Sequence, residues 1–366
     1  MAKIKIPKSP GEITNEWLTD VQRRSGRLED AAVVNHSIKR PAIGIGSANI
    51  VRIILDYDFP EDGALTSMIA KFVSVRKKPH ADKLKDFSDR EIKFYQHFDS
   101  NSGISTPQCF YAKIDKESGD YLLLMEDMSK CRVGDLSGRL EDVKVAIENL
   151  AKFHAKWWNS EKLNEMPWGT LFSSVPGNNE GLFETFVDSL LQIKEIYRNK
   201  IPEKFRLVAD QLQNIEVSIF TDDSLTLVHG DYHPGNMFFQ SNNEGRFAVF
   251  DWEAVHIGCA GQDLVPITTL GLTQEQRELH QNSLVELYHK TLLENVAIEY
   301  SLDQCWDNIR RGLLYSVFCN TIAAARQNRE RIEQLDATTL EFVLDIYFDR
   351  IDSALRSADI FKLLPL

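Results

Sequence analysis

The spacing of apolar residues shifts from mainly strand-like to mainly helical near Ser129, and that change restricts the fold more than any bulk property does. Before it, apolar residues come in short β-rich runs. IKRPAIGIGSANIVRIILDYDF supplies two of them, broken at Gly44 and Gly46, and SMIAKFVSV supplies a third. QCFYAKID and DYLLLMEDM follow, with the turn-forming KESGD between them, as in a hairpin. One segment among the strands has helical spacing: in ADKLKDFSDREIKFYQHF, Leu84, Phe87, Ile92, Tyr95 and Phe98 fall mostly on one side. Beyond Ser129 the pattern is that of long amphipathic helices. In RLEDVKVAIENLAKFHAKWW, Leu140, Val143, Ile147, Leu150, Ala151 and His154 recur at helical intervals. A further helical region covers roughly 181–219 with a break at Pro202, and three closing segments read as helices too. The order predicts an α+β chain: a smaller part, residues 1–127, with an antiparallel sheet and one helix, then a larger, mainly helical part, residues 128–366.

The length of 366 residues agrees with two such parts. A net charge of −12 argues against nonspecific nucleic-acid binding, which needs cationic contacts to phosphates. The five cysteines (Cys109, Cys131, Cys259, Cys305 and Cys319) are scattered and never spaced as CxxC, which points to reduced thiols. There is no apolar run of ~18 residues for a membrane span and no apolar leader near the N-terminus. A cytoplasmic protein without a membrane partner is the expectation.

One stretch breaks the helical pattern of the second part. LVHGDYHPGNMFF sits in an island of short strand-like pieces with RFAVFDWE. Its His229, Asp231 and His233 alternate, so an extended segment would put them on one face, as zinc ligands can be. A binuclear zinc site needs a second dense cluster, and His256 and Cys259 offer only nondescript spacing. A second reading fits better. Phosphoryl transfer needs a carboxylate to orient and deprotonate an acceptor hydroxyl, and hard oxygens to hold magnesium on the phosphates. Asp231 can be the first, and Asn236 and Asp251 the second. Upstream, Lys71 lies in the strand MIAKF and Glu91 on the following helix, a pairing that can hold an ammonium against phosphates. The turn of Gly44, Ile45, Gly46 and Ser47 could bring backbone amides to the same phosphates. No GxxxxGK[ST] loop is present.

Glycine turn, strand lysine, helix glutamate, Asp-x4-Asn loop and strand aspartate thus follow one another in the order of a kinase-like fold. LVHGDYHPGN resembles the HGDxHxxN catalytic loop of the aminoglycoside phosphotransferase and choline kinase superfamily. VFDWEAVHIGCAGQDL resembles its metal-binding aspartate and the Gly-x4-Asp element after it, here Gly258 to Asp263. FSDREIKFYQHF, YLLLMEDMS and AIENLAKFHAKWW look closest to the ecdysteroid-kinase-like branch. The resemblance implies a bilobal protein-kinase-like fold that binds ATP and Mg2+ and phosphorylates a small hydroxylated substrate. It implies Asp231 as catalytic base, Asn236 and Asp251 as metal ligands, and Lys71 oriented by Glu91 on the phosphates. Gly44, Gly46 and Ser47 would cover the phosphates, and the backbone from Glu126 to Met128 would meet adenine. A noncatalytic nucleotide-binding protein on the same fold is the alternative.

Other residues have plainer expectations. His229 braces the loop, His154 is a satisfied core histidine, and Asp263 ties the loop to a helix start. Trp157 and Trp158 are core aromatics. Glu341, Asp345, Asp349 and Asp352 would suit a cationic substrate if they reached its pocket, but read better as a solvated helix face.

Overall fold

The structure, a computed structural model, describes residues 6–40, 49–73, 89–98, 101–115, 117–136, 138–170, 180–220, 222–241, 246–327 and 329–364. The glycine turn at Gly44, Gly46 and Ser47 and the first half of the expected helix, including Leu84 and Phe87, lie outside these residues. Two compact units divide the chain: residues 1–132 with 238–254, and residues 133–237 with 255–366.

The first unit is built on a five-stranded antiparallel sheet of order β1-β2-β3-β5-β4. Its strands are β1 (Val33–Lys39), β2 (Asn49–Tyr57), β3 (Ser67–Val73), β4 (Cys109–Ile114) and β5 (Tyr121–Glu126). Alternation along each strand divides the side chains between the two faces. One face carries Val51, Ile53 and Leu55 of β2, Met68, Ala70 and Phe72 of β3, and Leu122 and Leu124 of β5. Helix α1 (Asn15–Arg24) covers this face with Trp17, Leu18 and Val21, each buried. Burying such side chains contributes about 1.5–3 kcal/mol apiece, so this face is a true core. The sequence reading expected one helix in this part, and α1 is an additional one. NEWLTDVQRR has too few apolar residues to announce itself, but Thr14 caps it, its Oγ1 accepting from the Trp17 N–H at 3.2 Å. The other face carries Lys71, and α2 (Arg90–Phe98) supplies Glu91 to it.

The second unit is mainly helical. Its longer helices are α3 (Leu140–Trp157), α4 (Glu180–Tyr197), α5 (Glu203–Leu212), α6 (Gly261–Gly271), α7 (Gln274–Asn295) and α8 (Leu302–Ala325). Pro202 is the N-cap of α5, so the break falls where its missing N–H is harmless. Helices α7 and α8 each open with a capping box, Thr273 with Gln276 and Ser301 with Gln304. Where α6 meets α8, a Cβ on Gly261 would fall on the Asn308 carbonyl and one on Gly312 on the Gly261 carbonyl. Only glycine permits this approach. The last expected helix is interrupted instead: a π-turn at Asp345–Asp349 stands between Ala337–Leu344 and Arg350–Ser357. Phe348, within that turn, is fully buried against the rings of Tyr197 and Phe205, at 5.0 and 5.1 Å.

Candidate active site

The expected site residues that the structure describes form two groups, one in each unit. In the first unit, β3 pairs with β5 so that Lys71 stands opposite Leu123. Lys71 is 7% exposed, and its Nζ donates to Glu91 Oε1 at 3.0 Å, to Glu91 Oε2 at 2.8 Å and to Asp251 Oδ1 at 2.6 Å. Burial works against its charge, but Glu91 and then Asp251 outweigh it and hold the lysine above its ordinary range. Burial pushes the Glu91 carboxyl up, and Lys71 pulls it back. The three contacts favour the ionised pair. A second donor also reaches this glutamate: the Tyr121 hydroxyl, 2.9 Å from Oε2.

Asp251 has φ of +67°, a left-handed backbone that costs energy for any residue with a Cβ. The next residue helps to hold it there. Trp252 is fully buried, stacks on Phe94 of α2 at 3.9 Å and 7°, and donates its indole N–H to the Val249 carbonyl. The segment carrying Asp251 is thereby packed onto the helix that carries Glu91. Glu126 ends β5. Its N–H is taken by the Gln108 carbonyl at 2.8 Å, and its carboxylate accepts from the Gln108 N–H and from Arg246. The Met128 carbonyl accepts from the Cys131 N–H at 2.8 Å.

In the second unit, β6 (Leu225–Val228) pairs antiparallel with β7 (His256–Cys259) and delivers the chain to the HGDYHPGN loop. Asp263, in the first turn of α6 and fully buried, accepts the His229 N–H at 2.7 Å and the Gly230 N–H at 2.8 Å. Gly230 has φ of +82°, which suits glycine and lets both amides turn to one carboxylate. The Asp231 N–H in turn donates to His229 Nδ1 at 3.2 Å. Asp263 is braced from behind by His154 Nε2 at 3.3 Å, and His154 Nδ1 meets the Tyr288 hydroxyl at 2.8 Å. With Nε2–H given to the carboxylate, Nδ1 is left to accept from the tyrosine hydroxyl. Asp263, His229 and His154 thus take the bracing and core positions that the sequence suggests. Tyr288 gave no signal of its own, being one aromatic on a polar helix.

Asp231 and Asn236 come together. The Asn236 amide nitrogen donates to the Asp231 carbonyl at 3.0 Å and to its Oδ2 at 2.9 Å. That orientation turns the Asn236 Oδ1 away as a hard oxygen for a metal. Asp251 likewise keeps Oδ2 when Lys71 holds Oδ1. Each is an oxygen of the hard kind that magnesium takes. His233 accepts the Gly235 N–H at Nδ1, and its Nε2 lies 3.5 Å from Asp231 Oδ1. The surrounding protein would raise the Asp231 pKa, but His233, with His229 and the Asn236 bond, brings it down to about 2.

A pocket in this unit opens beside Asp231, with Thr269, Tyr315, Ser316 and Asn320 as neutral polar lining and Leu270 and Ile351 as apolar lining. Asp231 is its one carboxylate among the described residues. The four acidic residues near the C-terminus do not line it. Asp345 bonds Arg350, and Asp352 accepts from the Phe205 N–H and from Arg356. Among the described residues no three His, Cys, Asp or Glu side chains gather as a metal-binding cluster. His256 is bonded to Gln262, and the Cys259 thiol to the Phe220 carbonyl.

A five-stranded antiparallel sheet with a mostly helical remainder is the fold of kinase-like phosphotransferases, and several solved structures similar to this chain agree. A Ralstonia eutropha JMP134 protein, described provisionally as an aminoglycoside phosphotransferase, is 15% identical with a TM-score of 0.55, covering 94% of this chain and 98% of its own. A choline/ethanolamine kinase family protein from Mesorhizobium loti is 15% identical with a TM-score of 0.51, covering 89% and 90%. Amicoumacin kinase hAmiN, solved with AMP-PNP, Ca2+ and amicoumacin, is 13% identical with a TM-score of 0.51, covering 88% and 90%. At these identities the likeness is one of fold. No curated protein matches the chain. The family model for the ecdysteroid kinase-like family matches residues 47–298, and the chain belongs to that family.

Proposed function

We propose that the protein transfers the γ-phosphoryl group of ATP, with magnesium, to a hydroxyl of an uncharged small molecule. The observation that carries this reading is the state of Asp231: oriented by Asn236, anchored through Asp263, and open to a pocket otherwise lined by neutral groups. With a pKa brought down to about 2, Asp231 is a weak base at neutral pH. That suits a loose transition state, in which the carboxylate chiefly orients the acceptor hydroxyl and takes its proton late. Lys71, steered by Glu91, contacts the ATP phosphates. Asn236 and Asp251 supply oxygen ligands to magnesium, which neutralises charge on the phosphates when bound. The backbone from Glu126 to Met128 serves the adenine edge, and Gly44, Gly46 and Ser47 cover the phosphates.

The pocket supports the choice of acceptor. A polycation would need several carboxylates, whereas Thr269, Ser316 and Asn320 offer neutral hydrogen bonds beside Leu270 and Ile351. A cytoplasmic setting belongs to the same reading, supported by scattered cysteines that are never spaced as CxxC. Among the described residues no helix is long and apolar enough to cross a membrane. The test is ADP release with magnesium and ATP across sugars, nucleosides, sterols and hydroxylated amines, with Asp231→Ala alongside. Turnover of neutral acceptors, abolished by the substitution, is expected. Turnover of amines alone would overturn the acceptor class. MgATP binding without turnover of anything would favour the noncatalytic reading.

A further inference from the structure

The lysine–glutamate pair has a third member. Tyr121 opens β5 two residues before Leu123, which stands opposite Lys71, so strand alternation puts Tyr121 and Lys71 on the same face of the sheet. The tyrosine is 3% exposed, and its hydroxyl lies 2.9 Å from Glu91 Oε2. That oxygen also accepts from Lys71 at 2.8 Å, while Oε1 accepts from Lys71 at 3.0 Å. Lys71 alone leaves the carboxylate able to swing, because the lysine stem is long and its ammonium donors rotate. Tyrosine has a rigid ring on a central strand and a single hydroxyl proton to give. Burial disfavours the charged form of Glu91, so each donor that reaches it matters more than it would in water.

Building on the kinase reading above, we propose that Tyr121 is a positioning residue. It fixes the Glu91 carboxylate from the sheet, and through Glu91 it sets where the Lys71 ammonium stands for the nucleotide phosphates. The hydroxyl works through the glutamate and touches neither ATP nor acceptor.

The experiment is a double-mutant cycle read as the MgATP dissociation constant by titration calorimetry, with melting curves for each protein. Tyr121→Phe keeps the ring and removes only the donor. It should weaken MgATP binding about fivefold to tenfold, a fraction of the usual value of a hydrogen bond to a charged group. Steady-state assays should show the loss as a raised KM for ATP, with the KM for the acceptor unmoved. In a Glu91→Gln background the same substitution should change binding less than about twofold, because the carboxylate it serves is gone. Equal loss in both backgrounds, or none in either, would show that Tyr121 only packs. An unfolded Tyr121→Phe protein would show that the hydroxyl carries the fold, and would also overturn the proposal. If the wild-type protein itself bound no MgATP, the kinase reading would fall first and this proposal with it.

Discussion

Replacing Asp263 by asparagine should loosen the HGDYHPGN loop without removing any group from it. The carboxylate receives the His229 N–H at 2.7 Å and the Gly230 N–H at 2.8 Å, with no exposure to water. A hydrogen bond to a charged group contributes about 1.5–3 kcal/mol. Asparagine keeps one acceptor oxygen and turns an NH2 group toward the other amide, so one bond is lost and two donors face each other. The expected cost is roughly 2–4 kcal/mol, concentrated where the loop leaves β6. Hydrogen exchange reads this without knowledge of the acceptor. Protection of the His229 and Gly230 amides should fall about thirtyfold or more, since each 1.4 kcal/mol is a factor of ten. Amides of β2 and β3, in the other unit, should keep their protection. Unchanged exchange at His229 and Gly230, with an unchanged melting temperature, would refute the anchoring role.

Three further outcomes are expected. Gly312→Ala places a methyl group on the Gly261 carbonyl where α6 and α8 meet, and should lower stability by about 1–3 kcal/mol or more, visible as a lower melting temperature. Because the Lys71 pKa is raised in the folded state, its contribution to stability is present below the ordinary lysine value of about 10.4 and fades as pH rises through the higher folded value. The difference in melting temperature between wild type and Lys71→Met should therefore hold constant from neutral pH to about 10, and a decline near pH 8 would contradict it. Asp251→Asn weakens an oxygen ligand, so half-maximal nucleotide binding should need about tenfold more magnesium or beyond, and an unchanged magnesium titration would remove Asp251 from that role.

Much of this was legible in the sequence because the chemistry is local there. Asp231 and Asn236 are five residues apart on one loop, and the bond between them needs no distant partner beyond that spacing. The strand lysine and helix glutamate were legible as a pair by type and order, and the structure joins them. Tyr121 was hidden for the opposite reason. In YLLLME it reads as one more apolar strand residue, and its hydroxyl acquires meaning only when α2 packs over that face. Tyr288 was likewise silent, since its partner His154 is far away in sequence. The strand island around Asp251 looked like part of the helical half, yet residues 238–254 pack with the first unit, tied by Phe94 on Trp252 and by Arg246 on Glu126. Such returns of the chain depend on tertiary burial, which periodicity along the sequence does not encode.

Asp231→Asn tests phosphoryl transfer most directly when binding and chemistry are measured on the same protein. MgATP affinity comes from calorimetry, and single-turnover transfer of the γ-phosphoryl label to a neutral acceptor comes from rapid quench. Asp231 acts on the acceptor hydroxyl, so the variant should bind MgATP within about twofold of wild type and transfer phosphoryl about 10²–10⁴ times more slowly. Transfer at the wild-type rate by Asp231→Asn, or a wild-type protein that binds no MgATP, would contradict it.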